Sequence, residues 1–164
     1  MRSRLRHLVV LLPFFWVLTP SHAPAQAAEK EGTWAYGYGF AGFGVAIGEE
    51  LGDPIFHLGS GADLMLGRFG LTGELGYMAI AEHSLDGFGT FSPGVLLAFS
   101  KQGTVPFVKG GFTLFFRGGT EPGWFVGAGV NFWRSDRFGF RASLNDQVFG
   151  SSHLFAARFA VLFR

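Results

Sequence analysis

The sequence predicts an all-β fold, an eight-stranded antiparallel up-and-down transmembrane β-barrel. Three observations carry that prediction. Glycine and phenylalanine are in excess, at 26 and 21 of 164 residues, where glycine averages about 7%. Charged residues make up only 15%, against roughly 25% in an ordinary soluble domain. Beyond residue 33, apolar or aromatic side chains occupy every second position in eight successive runs, which is the period of a β-strand. The length suits one domain. The charge is too low for disorder. This much glycine, at about 1 kcal/mol per interior position, is incompatible with long helices. No apolar run approaches the ~20 residues of a membrane helix. Cysteine is absent, so disulfides and thiolate metal sites are excluded.

The N-terminus reads as an address. Arg2, Arg4 and Arg6 precede an apolar stretch at 8–18, and Ala25-Gln26-Ala27 fits a signal-peptidase site. Residues 1–27 are therefore a signal peptide cleaved after Ala27, and 28–164 the barrel. Losing the three arginines takes the formal charge from +1 to −2. No basic patch marks nucleic-acid binding.

The runs then follow in order. The first places Trp34, Tyr36, Tyr38 and Phe40 on one face, then changes phase near Gly42 to Phe43, Val45 and Ile47, which predicts a bulge. The second sets Phe56, Leu58, Ala62, Leu64 and Leu66 against His57 and Asp63. The third sets Leu71, Leu75 and Tyr77 against Thr72 and Glu74. The fourth carries Phe91, Val95, Leu97 and Phe99. The fifth sets Val108, Phe112, Leu114 and Phe116 against Lys109, Thr113 and Arg117. The sixth sets Trp124, Val126, Val130 and Phe132 against Asn131. The seventh sets Phe138, Phe140 and Leu144 against Arg141 and Asn145. The last sets Phe155, Phe159, Val161 and Phe163 against Arg158. Runs of about 9–13 residues match membrane strands better than soluble ones, which average about 5–6.

Connections at 67–69, 100–104 and 134–137 are tight. Those at 48–54, 81–89 and 146–152 are longer, and 118–123 is a short outer loop. Such alternation is that of periplasmic turns and outer loops. An even strand number leaves both termini periplasmic. With lipid outside, the large apolar residues point outward, aromatic pairs being too bulky for so narrow an interior, and glycine relieves crowding inside. Trp34, Tyr36, Tyr77 and Trp124 are the expected interfacial girdle.

Charges facing inward must be paired. Asp63, Glu74, Lys109, Arg117, Arg141 and Arg158 form the expected lumen network, with Glu74 pairing to Lys109 or Arg141 and plugging the barrel. A narrow polar pore is the alternative. Ser151 and His153 share a face without an evident acidic partner, so a lipid A-modifying enzyme is a rival. A secreted lipocalin-like barrel is another, and needs the aromatics inside. Glu82, His83 and Asp86 cluster in one outer loop, and Glu49, Glu50 and Asp53 in another; clustered loop acids are ordinarily solvated, and no metal or cofactor is expected. Outer loops carry acids, including Glu121 and Asp146. Inner turns carry Arg68, Lys101, Arg134 and Arg137 against Asp136 alone.

Several stretches carry a likeness. Pro106-Phe107-Val108 before Gly110-Gly111-Phe112, then Gly127-Ala128-Gly129-Val130-Asn131-Phe132, then Ser135-Asp136-Arg137-Phe138-Gly139-Phe140-Arg141, resemble the bacterial outer-membrane β-barrel family that includes OmpA and OmpX. The resemblance implies an outer-membrane location, lipid as surroundings and the barrel-insertion machinery as a partner in biogenesis. Family members end in an aromatic residue; here Phe163 is followed by Arg164. The expected role is structural or interactive, as a monomer, with no turnover chemistry.

Overall fold

The computed structural model describes residues 33–48, 51–80, 87–100 and 103–164. The expected signal segment 1–27 with its expected cleavage point, and Glu49, Glu50, Glu82, His83, Asp86 and Lys101 of the expected connections, lie outside the described residues.

Eight strands close into one barrel: β1 (Thr33–Ile47), β2 (Leu51–Leu66), β3 (Phe69–Ile80), β4 (Gly87–Ala98), β5 (Thr104–Phe116), β6 (Thr120–Trp133), β7 (Phe138–Phe149) and β8 (Ser152–Phe163). Each pairs antiparallel with the next. β1 closes onto β8 from Gly37↔Phe163 to Ile47↔His153. Closure leaves no unpaired edge, which hydrocarbon would not tolerate.

Strands run from 12 to 16 residues, longer than the alternating runs suggest. The ladder continues into segments expected to be loops. β2 begins at Leu51, within the expected 48–54 connection. The expected 146–152 loop shrinks to Gly150 and Ser151, with Gly150 at φ +57. The physical reason is that backbone groups pair wherever two strands stay in register, whatever their side chains. At the opposite end Gly67, at φ +69, makes the two-residue turn with Arg68. Glycine adopts that left-handed conformation without strain.

The outer surface is apolar. Phe43, Phe56, Phe69, Phe112, Leu144 and Phe159 are all more than half exposed, whereas Asp63, Glu74, Lys109, Arg141 and Arg158 are buried. This inverts the arrangement of a soluble domain. β2 to β8 keep the expected phase.

β1 does not, in its first half. Tyr36, Tyr38 and Phe40 point into the barrel and are buried. Its pairing with β2 runs unbroken through Gly42, and the register shifts only between Ala46 and Ile47. No bulge forms at Gly42. The strand keeps one phase throughout, and the sequence exchanges which face carries the large residues. Rings fit inside because glycines face them. A Cβ on Gly61 would lie 2.6 Å from the Tyr38 ring, and one on Gly59 2.6 Å from Phe40. Gly129 likewise clears Phe107, and Gly94 clears Phe125. The expectation that the large aromatic residues of β1 point outward is thus corrected for Tyr36, Tyr38 and Phe40.

Candidate functional site in the barrel lumen

The lumen is layered. At the end holding the C-terminus, Trp34 stacks on Tyr36 (centroids 5.1 Å apart), and Trp133 meets both edge-on. The Arg164 guanidinium sits 4.3 Å from the Trp34 and Trp133 rings, and its backbone N–H donates to Arg137 O at 3.0 Å. The residue that departs from the aromatic C-terminus of the OmpA/OmpX-like family therefore sits on an aromatic cluster. Trp34 and Tyr36 belong to this inner cluster and not to a lipid-facing girdle, because even-numbered β1 positions face inward.

Two ionic clusters lie above. Arg141 donates through Nη2 to Asp63 Oδ2 at 2.6 Å and to Tyr36 Oη at 2.8 Å, and through Nε to Asn131 Oδ1 at 2.7 Å. Its guanidinium also lies over the Tyr38 and Phe107 rings, at 4.4 and 4.5 Å, a favourable arrangement for a planar cation. Thr72 donates to Asp63 Oδ1 at 2.6 Å. In the second cluster Glu74 accepts from Arg158 Nη1 at 3.0 Å and Nη2 at 3.2 Å, and from Lys109 Nζ. Tyr38 joins the two, donating to Glu74 Oε1 at 2.7 Å while lying 3.4 Å from Asp63 Oδ1. Five buried charges are thus held in one hydrogen-bonded network, the condition under which buried charge is tolerable. Glu74 pairs with Lys109 as expected, but its second cation is Arg158; Arg141 serves Asp63 instead.

Past this network the interior turns apolar, with Ile55, Met78, Phe115, Leu154 and Ala156. It then opens into a cavity of about 380 Å³ whose walls include Phe88, Phe149, Asp53, Arg117 and Glu121. Arg117 is exposed at this mouth. It is therefore corrected from the lumen network to the rim, because β5 ends at Phe116 and the chain turns there.

Tyr77 and Trp124 lie on the outer surface, about half exposed. His153 has an acidic partner that its neighbours in sequence do not reveal. Its Nδ1 lies 2.9 Å from Asp146 Oδ2, and its ring stacks on Phe155 at 5.7 Å. A signal for it exists: Gly150-Ser151 is a two-residue hairpin turn, and the β7–β8 register then sets Asp146 diagonal to His153. Among the described residues no group of three or more His, Asp or Glu could hold a metal ion.

A scan of protein-family models and a search of curated proteins give no match. Solved structures do resemble the chain. Neisserial surface protein A aligns with a TM-score of 0.67 and 16% identity, covering 81% of this chain and 99% of that one. The fold is that of a small transmembrane β-barrel. Ail, the attachment invasion locus protein of Yersinia pestis, aligns at 0.57 with 15% identity, over 81% of this chain and 98% of its own. The N-terminal β-barrel domain of Pseudomonas aeruginosa OprF aligns at 0.54 with 17% identity, over 77% and 96%. The small barrel described here shares with them its architecture.

Proposed function

We propose that this protein is a monomeric bacterial outer-membrane barrel with a structural or interaction role, no turnover chemistry, and a lumen closed by its ionic and aromatic layers. The observation that carries this reading is the inverted barrel, with Phe43, Phe56, Phe69, Phe112 and Phe159 outside and five charges inside. Hydrocarbon stabilises that arrangement and water does not. Both termini are periplasmic in this reading. Its support is the charge asymmetry, with Arg68, Arg134 and Arg137 against Asp136 in the turns at one end, and Asp53 and Glu121 against Arg117 at the other. Tyr77 and Trp124 serve as interfacial anchors.

The membrane part is tested by electrophoresis with and without boiling, together with detergent partition. Migration that ignores heating, with partition into the aqueous phase, defeats it. Closure is tested by single-channel recording. Intact protein should not conduct, and Glu74→Ala, which strips Lys109 and Arg158 of their partner, is the variant to compare. Steady conductance by the unaltered barrel turns the reading into a narrow pore.

A lipid A-modifying enzyme is the second reading, favoured by the Asp146–His153 pair on the outer surface, two residues along the chain from Ser151 in the preceding turn. Mass spectrometry of lipid A from cells producing the intact protein or Ser151→Ala decides it. Identical lipid A in both, matching cells without the protein, removes the enzyme.

A further inference from the structure

The ionic network is not electrically balanced. Among the described residues it holds three cations, Lys109, Arg141 and Arg158, and two carboxylates, Asp63 and Glu74, and all five are buried. An aromatic cluster lies below them and an apolar cluster above. Asp53 and Glu121 lie beyond the upper cluster at the open mouth, where water screens them. One positive charge is therefore left over in a low-dielectric layer, a costly state without a counter-charge.

The same layer holds donors without partners among the described residues. Arg158 uses both terminal nitrogens on Glu74, and its Nε–H is left unpaired. Neither ring nitrogen of His57 is hydrogen-bonded, though the residue is 1% exposed. The two project from β8 and β2, the strands on either side of β1, and the His57 Nε2 end lies by Gly76, where a Cβ would come within 2.6 Å of it. Gly42 pairs with Arg158 on one side and His57 on the other. A Cβ at Gly42 would lie 2.7 Å from Arg158 Cγ, so the arginine stem crosses the glycine towards the strand that carries the histidine. The Phe40 ring closes the place on a third side, 4.4 Å from the Arg158 guanidinium carbon and 4.9 Å from the His57 ring centroid.

We infer that the middle of the lumen binds one small monovalent anion of halide type, held by Arg158 Nε–H and a His57 ring N–H. The inference rests on the closed-lumen reading. Binding stabilises the folded barrel in proportion to anion occupancy, so it has a thermodynamic signature separate from conduction.

The experiment uses the barrel refolded in detergent, melted in sodium chloride or sodium gluconate at equal ionic strength. Chloride should raise the melting temperature, and the rise should saturate. Lys109→Met leaves two cations against two carboxylates and should abolish the chloride effect. His57→Phe keeps the charge but removes a donor, and should shift saturation to higher chloride. Crystals of the unaltered protein grown in bromide should give an anomalous peak beside Arg158 and His57. Equal melting in the two salts, a chloride effect undiminished in Lys109→Met, or bromide absent from that position overturns the inference. The diffraction arm decides alone if a variant does not fold. Conduction with bromide in place would remove only the closed lumen, whereas an insulating barrel without bromide would remove only the anion.

Discussion

The two halves of β1 divide the lumen differently. From Trp34 to Phe40 the strand turns its rings inward and its glycines and alanines outward. From Gly42 to Ala46 it turns Gly42, Gly44 and Ala46 inward and sets Phe43 and Val45 outside. Both halves share one pleat, one phase and the same neighbours. The difference lies in what faces each half. The first half meets Gly59 and Gly61 on β2, which leave room for Tyr38 and Phe40. The second meets the Arg158 stem and the backbone of β8, which leave none. Inward size is thus set by complementarity with the neighbouring strands and across the lumen, and close packing enforces it.

The largest test of this comparison strikes the ionic network that the rings of the first half hold. Arg141→Met should strip Asp63 of its cation and cost about 3–5 kcal/mol, the usual cost of breaking a buried pair. Urea unfolding followed by gel mobility would read it, and a loss under ~1 kcal/mol would show that the network does not support the first half. Next, Phe43→Arg places a charge on the lipid side of the second half and should cost about 2–4 kcal/mol near the bilayer centre. A neutral outcome in lipid would mean that Phe43 does not face hydrocarbon. Gly61→Leu should overpack Tyr38 and cost about 1–3 kcal/mol. The smallest effect should come from Gly39→Leu. A Cβ at Gly39 would have its nearest neighbour 4.0 Å away, so the change should stay within about 0.5 kcal/mol. If Gly39→Leu destabilises and Gly61→Leu does not, the rings of the first half point outward after all.

Fluorescence would sharpen the same contrast. In barrels made with Trp at position 38 or 43, quenchers attached to lipid chains should reach the second and not the first. Equal quenching would mean that the two halves share one surface.

Much of this is legible in the residues. The eight runs are eight strands, and the inward positions of Asp63, Glu74, Lys109, Arg141 and Arg158 follow from alternation alone. β1 escapes that reading because a change in residue size imitates a change in phase. A phase change needs an extra backbone residue, and glycine at position 42 does not supply one. Arg117 shares the inward parity of Lys109, but alternation carries no information beyond the end of a strand. The 48–54 and 146–152 connections are shorter than their polar residues suggest, because a polar side chain does not break a ladder. Asp53 and Asp146 both sit paired within theirs.

The sequence by itself determined the period, the number of strands and the residue types on each face. Those are local properties, set by a pleat that repeats every two residues. Only the tertiary structure decided which cation meets which carboxylate, which rings are inside and what closes over the C-terminus. Arg141 and Asp63 are 78 positions apart, and Arg158 and Glu74 are 84 apart. No local pattern couples such distances. Closing the barrel does, because it brings every inward side chain into one narrow space where volume and charge must be satisfied together.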